Sequence, residues 1–142
     1  MIWVIDASVA VRWFLTEEAD PAADAVLREL IDKPEMFAVP ELFPFEVLAV
    51  LCRIHPEGLS VFRDGLLPLL SGGILRHPMT ASLVRQAEPF LSVGLTACDA
   101  CYAALARELG GFWLTYDGKA HRRIRRLGVS HLLSDGLPSN WP

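Results

Sequence analysis

The sequence predicts an α/β fold in which helices cover both faces of a mostly parallel sheet of about four to five strands. Three observations carry that expectation. Short apolar runs alternate with stretches of helical spacing along the whole chain. The runs read as buried strands, the kind that parallel sheets contain. The chain has 142 residues, 52% of them hydrophobic and 21% charged. That suits one domain over residues 1–142 with a real core, and it excludes disorder.

Element by element, Ile2-Trp3-Val4-Ile5 is a first strand ending in Asp6, and residues 8–15 have helical spacing. Asp20-Pro21 starts a helix as N-cap and first-turn proline, running to about Ile31 before Lys33-Pro34-Glu35 breaks it. Phe37-Ala38-Val39 is a second strand closed by Pro40. Residues 41–54 are helical, with Pro44 tolerated in the first turn. His55-Pro56-Glu57-Gly58 ends that helix, and residues 59–70 form another, strained or shortened by Pro68. Ile74-Leu75-Arg76 is a third strand. Residues 80–93 form a helix that Pro89 should disturb towards its end. The alanine-rich residues 96–109 are strongly helical and capped by Gly110-Gly111. Residues 112–115 are a fourth strand, residues 119–127 a basic helix ended by Gly128, and residues 129–133 a last strand. A short tail, residues 134–142, follows.

No run approaches the roughly 18 apolar residues of a membrane helix, so no membrane association is expected. The apolar N-terminus is broken by Asp6 and Arg12 and lacks a basic leader, which excludes a signal peptide and leaves a cytoplasmic location as the expectation. Three cysteines (Cys52, Cys98 and Cys101) are too few and odd in number for a disulfide framework.

The formal charge of −4 hides an uneven distribution. Residues 1–46 carry ten acids and three bases, whereas residues 47–142 carry seven acids and ten bases. Lys119, Arg122, Arg123, Arg125 and Arg126 fall together, with no acid between Gly118 and Ser134. Such a patch can bind a phosphate backbone on an acidic protein, because salt confines the relevant field to about 8–10 Å. The plainer reading is a solvated helix face.

Four carboxylates stand out because apolar or small residues surround them, where an unpaired charge is costly. They are Asp6 in Val-Ile-Asp-Ala-Ser, Glu46 in Pro-Phe-Glu-Val-Leu, Asp99 in Thr-Ala-Cys-Asp-Ala-Cys-Tyr, and Asp117 in Leu-Thr-Tyr-Asp-Gly. Singly, each has a simple structural role: a strand-end turn for Asp6, a turn for Asp117-Gly118, a capping box with Thr96 for Asp99, an ion pair with an arginine for Glu46. Together they suggest more, since Asp6 and Asp117 follow strands, and open α/β sheets bind ligands beyond the carboxyl ends of their strands. Converging carboxylates repel unless a cation neutralises them, and an all-oxygen donor set selects Mg²⁺ or Mn²⁺. An acidic metal site beside a basic helix suits phosphodiester hydrolysis.

At these residues the sequence resembles the PIN-domain ribonucleases, in particular the VapC-type toxins of bacterial toxin–antitoxin pairs. The opening VIDASVAVRWFL is similar to the first acidic motif, with Asp6 as metal ligand and Ser8 as its supporting hydroxyl. Pro40-Glu41-Leu42 followed by Glu46-Val47 resembles the second. TACDACYAALA, residues 96–106, resembles the third through Asp99, and LTYD resembles the fourth through Asp117, with Thr115 in support. The match covers residues 2–133. It implies a three-layer α/β/α sandwich and a Mg²⁺- or Mn²⁺-dependent endoribonuclease whose catalytic and metal-binding residues are Asp6, Glu46, Asp99 and Asp117. Lys119, Arg122, Arg123 and Arg126 are then expected on the RNA backbone. The resemblance also implies a homodimer silenced by a cognate antitoxin protein. The sequence departs from the pattern at Cys98 and Cys101, at Pro89, and over residues 56–73.

Three other readings compete. Asp6 could be the nucleophile of a phosphoryl-accepting α/β domain, although Ser8 occupies the place of the second acid such sites want and Lys119 is the only suitable lysine. The chain could be a PIN-like module that binds RNA or protein without catalysis. Zinc could sit among Cys52, His55, Cys98 and Cys101, although cysteines one helical turn apart are more often core residues. His121 reads as part of a solvated face, and Trp3, Trp13 and Trp113 as core. No dinucleotide, P-loop or serine-hydrolase motif is present.

Overall fold

The computed structural model describes residues 1–142. Five parallel strands form one sheet in the order β3-β2-β1-β4-β5. They are β1 (Trp3–Ile5), β2 (Phe37–Pro40), β3 (Leu75–His77), β4 (Phe112–Thr115) and β5 (Ser130–Leu132). The central strands are almost wholly buried, as expected when helices cover both faces, while the edge strand β3 is largely exposed.

The helices are α1 (Ala7–Ala10), α2 (Pro21–Asp32), α3 (Phe43–Ile54), α4 (Gly58–Val61), α5 (Leu67–Leu70), α6 (Ala81–Ser92), α7 (Ala97–Glu108) and α8 (Gly118–Ile124). The chain moves outward from β1 to β2 and β3, then returns past β1 to β4 and β5. With right-handed crossovers, α1 to α5 cover one face and α6 to α8 the other. The order therefore reverses at β1, and the crevice beyond the carboxyl ends of β1 and β4 is where such a sheet takes a ligand.

Three of the longer helices bury a stripe at helical spacing: Ala23, Val26 and Leu30 on α2; Phe43, Val47 and Leu51 on α3; Leu83, Ala87 and Phe90 on α6. Helix α7 is buried nearly all round from Tyr102 to Ala106, and its alanines let it lie close on β1, β2 and β4. Gly110, at φ +66°, turns the chain out of α7. Gly111 then passes so close to β1 that a Cβ there would lie 2.0 Å from the Ile2 carbonyl oxygen.

Prolines account for two departures from expectation. Pro89 sits inside α6 without ending it, because the packing of Leu83, Ala87 and Phe90 against α7 outweighs one missing backbone donor. Residues 58–70 are helical throughout, but residues Phe62–Leu66 widen into a π turn immediately before Pro68, which has no N–H to donate to the preceding turn. The residues after α1 tighten into a 3₁₀ turn at Val11–Trp13. Asp20 precedes α2 as expected but makes no capping bond. The terminal segment is not a loose tail: Trp141 packs on Trp3 and Phe37, with ring centroids 5.0 Å and 6.3 Å away.

Candidate active site

Asp6 ends β1, where the strand hands over to α1, and only 8% of its surface is exposed. Three donors converge on it. The Trp113 indole N–H donates to Oδ1 at 3.2 Å, while the Ser8 backbone N–H and the Thr115 hydroxyl each donate to Oδ2 at 3.2 Å. Burial nevertheless raises its pKa to about 6, aided by the charges of Asp99 and Glu46. The hydrogen bonds orient the carboxylate without replacing the water it has lost.

The other three acids come from different elements. Glu46 is in the first turn of α3, half-buried, and its Oε1 accepts the Tyr102 hydroxyl at 2.7 Å. Its partner is thus a tyrosine from the opposite helical layer, not an arginine. Asp99 is in the first turn of α7, whose N-cap is Thr96: the Thr96 Oγ1 accepts the Asp99 backbone N–H at 3.1 Å. The expected cap is present, and it aims Asp99 at the crevice. Asp117 follows β4 and caps α8, its Oδ1 accepting the Ala120 N–H at 3.0 Å, while its own N–H donates to the Thr115 hydroxyl. Structural roles and membership of the cluster coexist at both positions.

Charge links the four. Burial raises the pKa values of Glu46 and Asp99; the Asp99 charge raises Glu46 further, and the Asp117 charge raises Asp99. Asp6, Glu46 and Asp99 thus lie within range of one another's charge, and Asp99 within range of that of Asp117. No three His, Cys, Asp or Glu side chains form a ready coordination shell, so holding an ion requires these carboxylates to draw inward. The donor set fits a hard divalent cation: every donor is a carboxylate oxygen, and a cation would remove the repulsion that adds to the effect of burial at Asp6, Glu46 and Asp99.

The basic residues divide. Lys119 and Arg123 line a cavity of about 160 Å³ with Asp99, Asp117 and Thr96. Arg123 also donates to the Gly94 carbonyl at 2.5 Å, tying α8 to the turn between α6 and α7. Arg122 and Arg126 are exposed and lie outside that cavity. His121 is not simply solvated: its Nδ1 pairs with Ser130 Oγ at 2.7 Å, and burial lowers its pKa.

Several contributors escape a reading by motif. Trp113 is core, as expected, yet its indole N–H holds Asp6; a buried tryptophan needs an acceptor, and that need was the available signal. Tyr102 stacks on Trp113 at 5.8 Å and reaches Glu46. The Ser8 hydroxyl supports the site through the backbone, accepting the Tyr116 N–H at 3.0 Å. Cys98 is exposed and Cys101 half-buried, so neither is a core residue, and no zinc set forms with Cys52 and His55. Buried under three donors, Asp6 is poorly suited to attack a phosphoryl group.

Comparison with known proteins agrees with this fold. The family model described as PIN domain matches residues 3–127. No curated protein matches the chain in sequence. FitAcB from Neisseria gonorrhoeae is similar in structure at 16% identity and TM-score 0.71, over 96% of this chain and 100% of that one. VapC20 of Mycobacterium tuberculosis, described as a toxin cleaving the sarcin–ricin loop, is similar at 19% identity and TM-score 0.63, over 99% of each chain. VapBC2 from Rickettsia felis, bound to a DNA fragment of its promoter, is similar at 14% identity and TM-score 0.69, over 93% and 98%. No single helix here is long and apolar enough to cross a membrane.

Proposed function

The chain belongs to the PIN-domain family, and from that premise we propose that it is a Mg²⁺- or Mn²⁺-dependent endoribonuclease, the toxin of a toxin–antitoxin pair. On this reading it works as a homodimer and is silenced by a cognate antitoxin protein. The observation that supports the proposal is the electrostatic linkage of Asp6, Glu46 and Asp99, and of Asp99 with Asp117, four acids from separate elements in a sheet whose strand order reverses at β1. Lys119 and Arg123 stand beside Asp99 and Asp117.

Asp6, Glu46, Asp99 and Asp117 would hold the ion. The chemistry supplied by a bound divalent cation is a more acidic water and stabilisation of charge on the phosphoryl oxygens. The protein's own groups do the rest. Trp113, Thr115 and the Ser8 N–H fix the Asp6 carboxylate in one orientation. Tyr102 does the same for Glu46. Lys119 and Arg123 bind the flanking phosphates and hold the scissile bond against the acids, with Arg122 and Arg126 extending the contact along the strand. Toxin–antitoxin partnership is supported by the similar structures, which include VapBC and FitAB assemblies.

Asp6→Asn and Asp99→Asn test the proposal. Each should lower Mg²⁺- or Mn²⁺-dependent RNA cleavage at least about 100-fold, since even outer-shell changes at metal sites cost 10–100-fold, while circular dichroism stays as in the parent. Cleavage that survives both substitutions removes the nuclease assignment. In cells, induced expression should arrest growth, and the arrest should vanish in Asp6→Asn or when a small neighbouring gene is co-expressed.

A further inference from the structure

We propose that Arg12 is an RNA-phosphate-binding residue on the far side of the site from Lys119 and Arg123; this rests on the ribonuclease reading above. Arg12 lies in the 3₁₀ turn that continues α1, the helix beginning beside Asp6. Its guanidinium carbon lies over the Tyr116 ring, 3.8 Å from the centroid. Nη1 donates to the Glu18 carbonyl at 3.1 Å in a solvent-exposed hydrogen bond. No carboxylate forms an ion pair with it. A guanidinium has five N–H donors, and here one is used. Held by a ring and a carbonyl, with its charge unpaired, Arg12 is pre-organised for an anion and gives up little side-chain freedom on binding one.

Its position suits a phosphate of the substrate strand. Tyr116 sits between Thr115, which holds Asp6, and Asp117. Its backbone N–H is fixed by the Ser8 hydroxyl and its own hydroxyl is bonded to Asp20. Tyr116 and Asp117 lie where the chain bends from β4 into α8, and their side chains reach different partners. Asp117 turns to Asp99 and α8, while Tyr116 turns to α1 and the start of α2. Lys119 and Arg123 therefore stand beside Asp99 and Asp117 on one helical layer, and Arg12 stands on the other, against the residue that precedes Asp117. An RNA strand crossing the carboxyl edge of the sheet would meet a cation before and after the acidic centre.

The test uses an oligoribonucleotide of mixed sequence and the Asp6→Asn protein, with affinity measured against salt concentration. Adding Arg12→Gln should make the slope of log K on log salt shallower by about 0.7, the value of one single-strand phosphate contact. Adding Arg12→Lys, which keeps the charge, should restore the parental slope. If Arg12→Gln weakens binding with the slope unchanged, Arg12 acts by stacking or by holding the loop, and the assignment is overturned. It is equally overturned if Arg12→Gln leaves both affinity and slope as they were, while Arg122→Ala with Arg123→Ala flattens the slope. Failure of the Asp6→Asn protein to bind RNA at all would instead overturn the ribonuclease reading on which the inference rests. Thermal melts of each variant separate these outcomes from loss of fold.

Discussion

The two ends of the sheet are opposites. At the amino ends, Trp3, Phe37, Phe112 and Trp141 pack ring against ring, and Gly111 lets β4 begin hard against β1. At the carboxyl ends β1 and β4 lead into Asp6, Thr115 and Asp117, whose neighbourhood includes the charges of Glu46 and Asp99. One end gathers apolar contact that favours the fold at any pH. The other gathers like charges that oppose it unless protons or a cation intervene. Stability and chemistry are therefore divided along the strand direction, and conditions or substitutions aimed at one end should leave the other nearly untouched.

The largest expected effect is the pH response of the acidic end. The Asp6 pKa is raised to about 6 by burial, so between the ordinary aspartate value and pH 6 the folded state binds more protons than the unfolded one. Stability in EDTA should fall as pH rises through that window, by about 3 kcal/mol for Asp6 alone. Glu46 and Asp99, also raised, shift in the same sense. Mg²⁺ or Mn²⁺ should raise Tm at pH 7.5 and do so less at pH 5, where protons occupy the carboxylates. In Asp6→Asn both the fall and the metal response should shrink. A pH-independent Tm in EDTA would show that the Asp6 carboxylate is not desolvated in the folded protein.

At the amino end, Trp141→Ala should lower stability by about 2 kcal/mol, below the 3–5 typical of a fully buried tryptophan because this one is half-buried. Urea denaturation would show the loss. The cleavage rate at 25 °C, the pH slope and the metal response should stay parental, because Trp141 touches Trp3 and Phe37 at the opposite ends of their strands. A change in the metal response would mean that the two ends are coupled through the sheet.

The sequence exposes these ends unequally. The strands β1, β2 and β4 are legible because their residues are apolar and bounded by Asp, Pro and Gly. The four acids are legible because carboxylates among apolar neighbours demand a reason. Contacts across the fold are not legible. Trp113 reaches Asp6 across 107 positions and Tyr102 reaches Glu46 across 56, so both depend on strand order and helix layering. Asp20 shows the limit of a local rule: it stands where an N-cap belongs, yet its carboxylate serves the Tyr116 hydroxyl. Pro89 shows another, since packing holds together a helix that its backbone chemistry alone would interrupt.

The smallest effect, and the one that best separates orientation from ligation, belongs to Tyr102→Phe. Tyr102 is buried and stacked on Trp113, and only its hydroxyl reaches Glu46. Phenylalanine keeps the ring and its packing, so the fold should lose only about 1 kcal/mol, the net worth of one hydrogen bond. Glu46 keeps its charge but loses the donor that fixes its rotamer. An outer partner of this kind typically contributes 10–100-fold to metal affinity. Because Glu46 is half-buried and its oxygens can turn to water, the lower end applies. The Mg²⁺ concentration for half-maximal cleavage should rise about tenfold, while the rate at saturating metal and the KM for RNA stay near parental. A fall in the plateau rate at an unchanged metal midpoint would place Tyr102 on the substrate instead, and Glu46 would then need another group to orient it.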